Sequence, residues 1–199
     1  MIRTEILSAP AWNRREIMRY ARIRGAEETY ESLIDECIKE AEPTLCYRVC
    51  YTILPVNKDG SIMIGNTAVT SQTIKKAIKD ADEVVLFAAT VGTPLDRLIG
   101  RYAQLSPAKA VILQAIGAER VESLCDAFCE QMSTELSTDG KRLTQRVSPG
   151  YGDIALLLQK EIFAVLDCPR KIGLTLDESL LMSPSKSVTA IAGILCNAG

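Results

Sequence analysis

The 199-residue sequence contains no histidine. That absence removes Ser-His-Asp and Cys-His nucleophile systems, histidine-containing zinc sites and any histidine ligand to a cobalt or haem centre. If a metal cofactor takes part, another chain supplies any histidine ligand. Aromatic residues are also few, at 5%. The longest uncharged stretch, 60–74, is too short and too polar to span a bilayer, so no membrane partner is expected. Neither charge sign dominates: 23 basic and 25 acidic residues are interleaved to a net −2, which leaves no basic stripe for phosphates and excludes a nucleic-acid partner. Neither GxGxxG nor GxxxxGK[ST] occurs. The first ten residues include Arg3 and Glu5 and no apolar signal-peptide core, so a cytoplasmic location is expected. Seven cysteines, an odd number in a chain too large to need staples, fit reduced thiols.

What is present is an ordinary globular composition, 47% hydrophobic and 24% charged, expected to form one domain over 1–199. Apolar residues at helical spacing predict an N-terminal helical hairpin at about 13–40, broken near Gly25-Ala26. A β-rich stretch at 45–56, the Lys58-Asp59-Gly60 turn and an apolar run at 61–64 predict a hairpin-like strand pair. Ser71 is placed as the cap of a short helix, and the continuous apolar run 83–89 as a buried strand. Thr93-Pro94-Leu95-Asp96 matches a capping box with proline at the first helical position. Ser106-Pro107 opens a long central helix with Leu113, Gly117, Val121, Leu124, Phe128, Met132 and Leu136 on one face. Further strands are expected at 141–146, 171–176 and 187–195, with a helix at 154–166. Without regular βαβ alternation, the expected class is α+β, a twisted, largely antiparallel sheet with flanking helices.

The segment Arg146-Val147-Ser148-Pro149-Gly150-Tyr151-Gly152-Asp153 carries the most chemistry. Pro149-Gly150 reads as a tight turn with a positive backbone angle at glycine and exposed N–H groups, and Asp153 as the cap of a helix starting at Ile154. A guanidinium, free amides and a flat ring suit a small zwitterionic, ring-bearing ligand, although taken alone such a turn is also an ordinary loop. Other groups fit structural roles better. Cys46/Cys50 and Cys125/Cys129 each share a face but form no CxxC knuckle, and read as packed core thiols. Thr90-Val91-Gly92-Thr93 is read as structural capping. Asp126, opposite the apolar stripe, and Glu178 and Lys186, near strand ends, read as solvated charges.

Arg146-x-x-Pro149-Gly150-Tyr151 is followed by Leu174-Thr175-Leu176-Asp177-Glu178-Ser179 and then by Met182-Ser183-Pro184-Ser185-Lys186-Ser187-Val188. In these motifs and their spacing the chain resembles the activation domain of cobalamin-dependent methionine synthase, over roughly 121–194. Ala89-Thr90-Val91-Gly92 and the N-terminal helices look like those of stand-alone members. The resemblance implies S-adenosylmethionine binding in support of reductive remethylation of cob(II)alamin, as a component that is not active alone. By motif, Arg146 would pair with the ligand carboxylate, Ser148 and Gly150 offer backbone contacts on the Pro149 turn, and Tyr151 pack near the adenosine. Asp126, placed before Ala127-Phe128 as the family's acidic residue is, would take the ligand ammonium. The implied partners are a separate cobalamin-binding methionine synthase subunit or other corrinoid protein, and a flavodoxin-like reductant. Cobalamin would come only through such a partner. Two other roles remain open: a non-catalytic module capping a corrinoid protein, or reactivation of a different corrinoid methyltransferase.

Overall fold

The computed structural model describes residues 1–25, 27–69 and 71–196. At its centre lies a five-stranded sheet in the order β1-β2-β5-β9-β6, formed by β1 (Arg3–Ile6), β2 (Arg48–Pro55), β5 (Glu83–Thr90), β9 (Ser187–Cys196) and β6 (Lys141–Leu143). Every neighbouring pair is antiparallel, in agreement with the α+β expectation. Strand side chains alternate between faces, and a strand with helices on both sides is apolar at every position. That accounts for the unbroken run in β5: Val85, Phe87 and Ala89 enter one core, Val84, Leu86 and Ala88 the other.

The first core lies under α1 (Arg14–Tyr20), α2 (Glu27–Ala41), α4 (Thr93–Leu105) and the 31-residue α5 (Pro107–Ser137). Phe128 of α5 packs its ring 5.1 Å from Tyr51 and 4.9 Å from Phe87, a cluster in which each aromatic pair adds about 0.5–1.5 kcal/mol beyond its buried area. The second core lies under the β3 (Ile62–Ile64) and β4 (Thr67–Val69) pair, α3 (Gln72–Ala77), α6 (Leu158–Leu166) and α7 (Cys168–Ile172). A short pair, β7 (Thr175–Leu176) and β8 (Met182–Ser183), lies between α7 and β9 in the chain. Among the described residues, no helix is long and apolar enough to cross a membrane.

Several local expectations change. The N-terminal helical pair forms, with Asn13 capping α1 and Arg14 reaching Glu31 and Asp35, but α1 ends at Tyr20 because Arg22 adopts a left-handed backbone. The expected strand pair 45–56 with 61–64 reduces to the single bridge Val56↔Ile62, because β2 is taken by β1 and β5 and β3 folds onto β4. Of the strand expected at 171–176, Lys171 and Ile172 belong to α7, which Pro169 starts, and only Thr175–Leu176 is extended. The capping box at 93–96 does not form: Gly92, at φ 93°, is the N-cap, and Asp96 instead accepts from the backbone N and the hydroxyl of Ser185. Lys186 is half-buried rather than solvated, and its stem lies where a Cβ on Gly117 would sit. Burial lowers its pKa against the pull of Asp96.

Candidate functional site

The segment 146–153 runs along one edge of the sheet and ties the two helical layers together. Val147 exchanges both backbone hydrogen bonds with Ile191 of β9, at 2.9 Å each. On one side of that anchor Arg146 reaches α5; on the other Asp153 reaches α3. The Pro149-Gly150 turn forms as expected, with Gly150 at φ 87° and the Tyr151 N–H donating to the Ser148 carbonyl at 3.1 Å. Its amides, however, are used internally. The Gly150 N–H donates to the Ile154 carbonyl at 2.8 Å, so the turn closes on itself rather than presenting that donor.

Asp153 is not the cap of the following helix. That helix starts four residues later than expected, at Leu158, without a side-chain cap. The Asp153 carboxylate instead accepts from the Ser71 hydroxyl, Gln72 N and Thr73 N, closing the first turn of α3 across 80 residues of sequence. These donors hold its carboxyl well below the usual aspartate range. Gly152 allows this approach, since a Cβ there would fall 2.3 Å from the Thr73 hydroxyl.

Arg146 and Asp126, expected on opposite ends of one ligand, are brought together. The Arg146 guanidinium donates through Nη1 to Asp126 and through Nη2 to Glu122 at 2.7 Å. Glu122 and Asp126 stand one turn apart on α5, so both carboxylates face the same point. Arg146 keeps 21% of its side chain exposed, against 44% for Glu122 and 70% for Asp126. Burial works against the guanidinium charge, but its bonds to Asp126 and Glu122 outweigh that and raise its pKa. Cys125 and Cys129 lie close by; burial pushes both thiols up while Arg146 pulls the other way. Glu122 was not singled out in the sequence, although the spacing Glu122-x-x-x-Asp126 on a polar helix face was a readable signal.

Beside this ion cluster, a cavity of about 360 Å³ opens between α1 and α5, lined by Asn13, Glu16, Tyr20, Glu119, Glu122 and Asp126. Its floor rests on a buried pair that the sequence reading also missed. Glu119 and Arg120 are at most 1% exposed, and Arg120 donates to the carbonyls of Pro10 and Ala11 at 2.8 Å each while lying 3.9 Å over the Trp12 ring. Glu119 in turn accepts from Asn13 N and the Ser123 hydroxyl. The remaining expected ligand groups are more open: Ser148 and Pro149 are half-buried, Gly150 is exposed and Tyr151 is 67% exposed. All seven cysteines are free thiols, and among the described residues no cluster of three or more His, Cys, Asp or Glu is arranged for a metal ion.

No known family profile matches the sequence. No curated protein matches it either. Among solved structures, the chain is similar to the crystal structure of the MetH reactivation domain bound to AdoHcy, with a TM-score of 0.70 and 16% sequence identity. The match takes in 100% of this chain and 80% of that one. The chain therefore has the fold of the MetH reactivation domain.

Proposed function

We propose that the protein binds S-adenosylmethionine at Arg146, Asp126 and Glu122 and serves the reductive remethylation of a corrinoid carried by a separate protein. The observation that carries this reading is the Arg146–Asp126 contact, formed between the two charged positions that the activation-domain motifs assign to opposite ends of the ligand, in a chain with that domain's fold. S-Adenosylmethionine carries a carboxylate, an ammonium and a sulfonium. Its carboxylate would replace Asp126 and Glu122 on Arg146, while its ammonium would take up the carboxylates so released. Every ion pair that opens is matched by a new one to the ligand, so the exchange leaves no charge unpaired. The acid-lined cavity beside the cluster suits the ligand's net positive charge.

A sulfonium methyl is already activated, so the chain's task is to hold and orient the donor and exclude water, which needs no acid–base residue. In the proposed reaction a one-electron reductant of the flavodoxin type converts the partner's cob(II)alamin to cob(I)alamin. That nucleophile then takes the methyl group and releases S-adenosylhomocysteine. The partner supplies the corrinoid in full.

Titration calorimetry with S-adenosylmethionine tests the reading. Wild-type protein should bind, and Arg146→Ala should lose the charged carboxylate bond, about 1.5–3 kcal/mol or roughly ten- to a hundredfold in Kd. Absence of heat with wild-type protein at millimolar ligand would sink it. One observation favours a second reading: Arg146 is already satisfied by two carboxylates, as in a purely structural clasp. The chain would then be a non-catalytic cap on a corrinoid protein, copurifying with it while S-adenosylmethionine leaves the melting temperature unchanged.

A further inference from the structure

A larger cavity, about 620 Å³, lies in the other helical layer, between β4, the start of α3, the chain after Tyr151 and α6. Its size falls within the range of small-molecule pockets. Val69, Ile154 and Leu158 form an apolar wall, and Leu157, 60% exposed, stands at its rim. An exposed leucine beside an open apolar recess is a surface that an apolar ligand would cover.

The polar groups around the recess are unequal in sign. Among the described residues lining it, Asp153 and Glu161 carry negative charge against the single cation Lys160. Asp153 accepts the Ser71 hydroxyl and Thr73 N through Oδ1, and Gln72 N through Oδ2 at 2.7 Å. The Thr73 hydroxyl also bonds this carboxylate, which stays exposed and negatively charged beside the recess. Glu161 lines the same recess and its Oε2 approaches Gly65, where a Cβ would lie 2.6 Å away. An anion would meet two carboxylates here, whereas an ammonium group would meet an acceptor already fixed in place.

We propose that this cavity is a second binding site, for a small apolar ammonium compound whose ring or chain packs on Val69, Ile154, Leu157 and Leu158 and whose N–H donates to Asp153. It shares no residue with the Arg146 cluster and does not depend on S-adenosylmethionine binding there.

Tryptamine is the probe, with indole-3-propionate as the anion of the same ring, titrated into the full chain by calorimetry and by amide NMR. Tryptamine should bind one to one, about tenfold tighter than the anion, and shift the Val69, Ser71 and Leu157 amides. Ala155→Trp, which fills the recess, should abolish binding. Lys160→Glu, a surface change, should tighten it, and saturating S-adenosylmethionine should not displace the probe. No binding at millimolar tryptamine, equal affinity for the two indoles, loss of binding in Lys160→Glu or displacement by S-adenosylmethionine would each overturn the proposal.

Discussion

Replacing Arg120 with alanine tests how the acid-lined side of the molecule is held. Arg120 is fully buried, and its guanidinium makes two 2.8 Å bonds to the carbonyls of Pro10 and Ala11, pairs with Glu119 and stacks on Trp12. Charged hydrogen bonds are worth about 1.5–3 kcal/mol each and a desolvated cation–ring contact about 2 kcal/mol, but the cost of burying the charge cancels much of that sum. Removing one partner of a buried pair has a net cost of about 3–5 kcal/mol, because the other charge stays buried. Glu119, 1% exposed with Arg120 in place, would keep Asn13 N and the Ser123 hydroxyl as hydrogen-bond partners and lose its counter-charge. Against a total stability of about 5–15 kcal/mol, this should shift the urea midpoint strongly with little change in slope. It should also speed hydrogen exchange at the Asn13 amide. The double change Glu119→Gln/Arg120→Met leaves no buried charge and should recover part of the loss. A cost below about 1 kcal/mol for Arg120→Ala would mean that the network holds nothing that the surrounding packing does not.

Gly152→Ala should destabilise by more than about 1 kcal/mol and weaken exchange protection of the Gln72 and Thr73 amides, because its φ is 59° and its Cβ would meet the Thr73 hydroxyl at 2.3 Å. Asp153, whose folded pKa is depressed, contributes stability fully present above the ordinary aspartate pKa of about 3.9 and lost as pH falls below it. Asp153→Asn should therefore flatten the acid limb of a thermal-stability profile. Burial pushes the Cys37 thiol up to about 11, against the pull of Lys109, so the unfolded chain ionises first as pH rises. Its contribution is intact below pH ~9 and withdrawn by pH ~11, at most about 3 kcal/mol, and under reducing conditions Cys37→Ala should show a shallower alkaline loss in urea midpoints.

Patterns that depend on neighbouring residues were legible in the sequence. The β5 run, the α5 stripe and the Pro149-Gly150 turn each follow from local sterics or from the side-chain period, and each appears where expected. Features decided by distant partners were not. Asp153 has the chemistry to cap any helix start within reach, and the Val147–Ile191 bridge carries it to α3 rather than to the helix that follows it. Asp96 likewise leaves its own helix for Ser185. β1 has three exposed residues out of four and is a strand only because the edge of β2 is there to pair with it. The Glu119–Arg120 pair interrupts an apolar helix face, and it is satisfied largely by the segment 10–13, more than 100 residues away. In the candidate site, Arg146 and Asp126 were legible through motif spacing, whereas their direct contact and the share taken by Glu122 required the fold.

A crystal of the protein soaked with S-adenosylmethionine would show whether Arg146 and its two carboxylates take the ligand. The ligand should lie at the sheet edge with its carboxylate on Arg146, its ammonium on Asp126 or Glu122, and the present Arg146 ion pairs opened. Arg146 still bonded to both carboxylates at saturating ligand, or the ligand seated elsewhere, would contradict it.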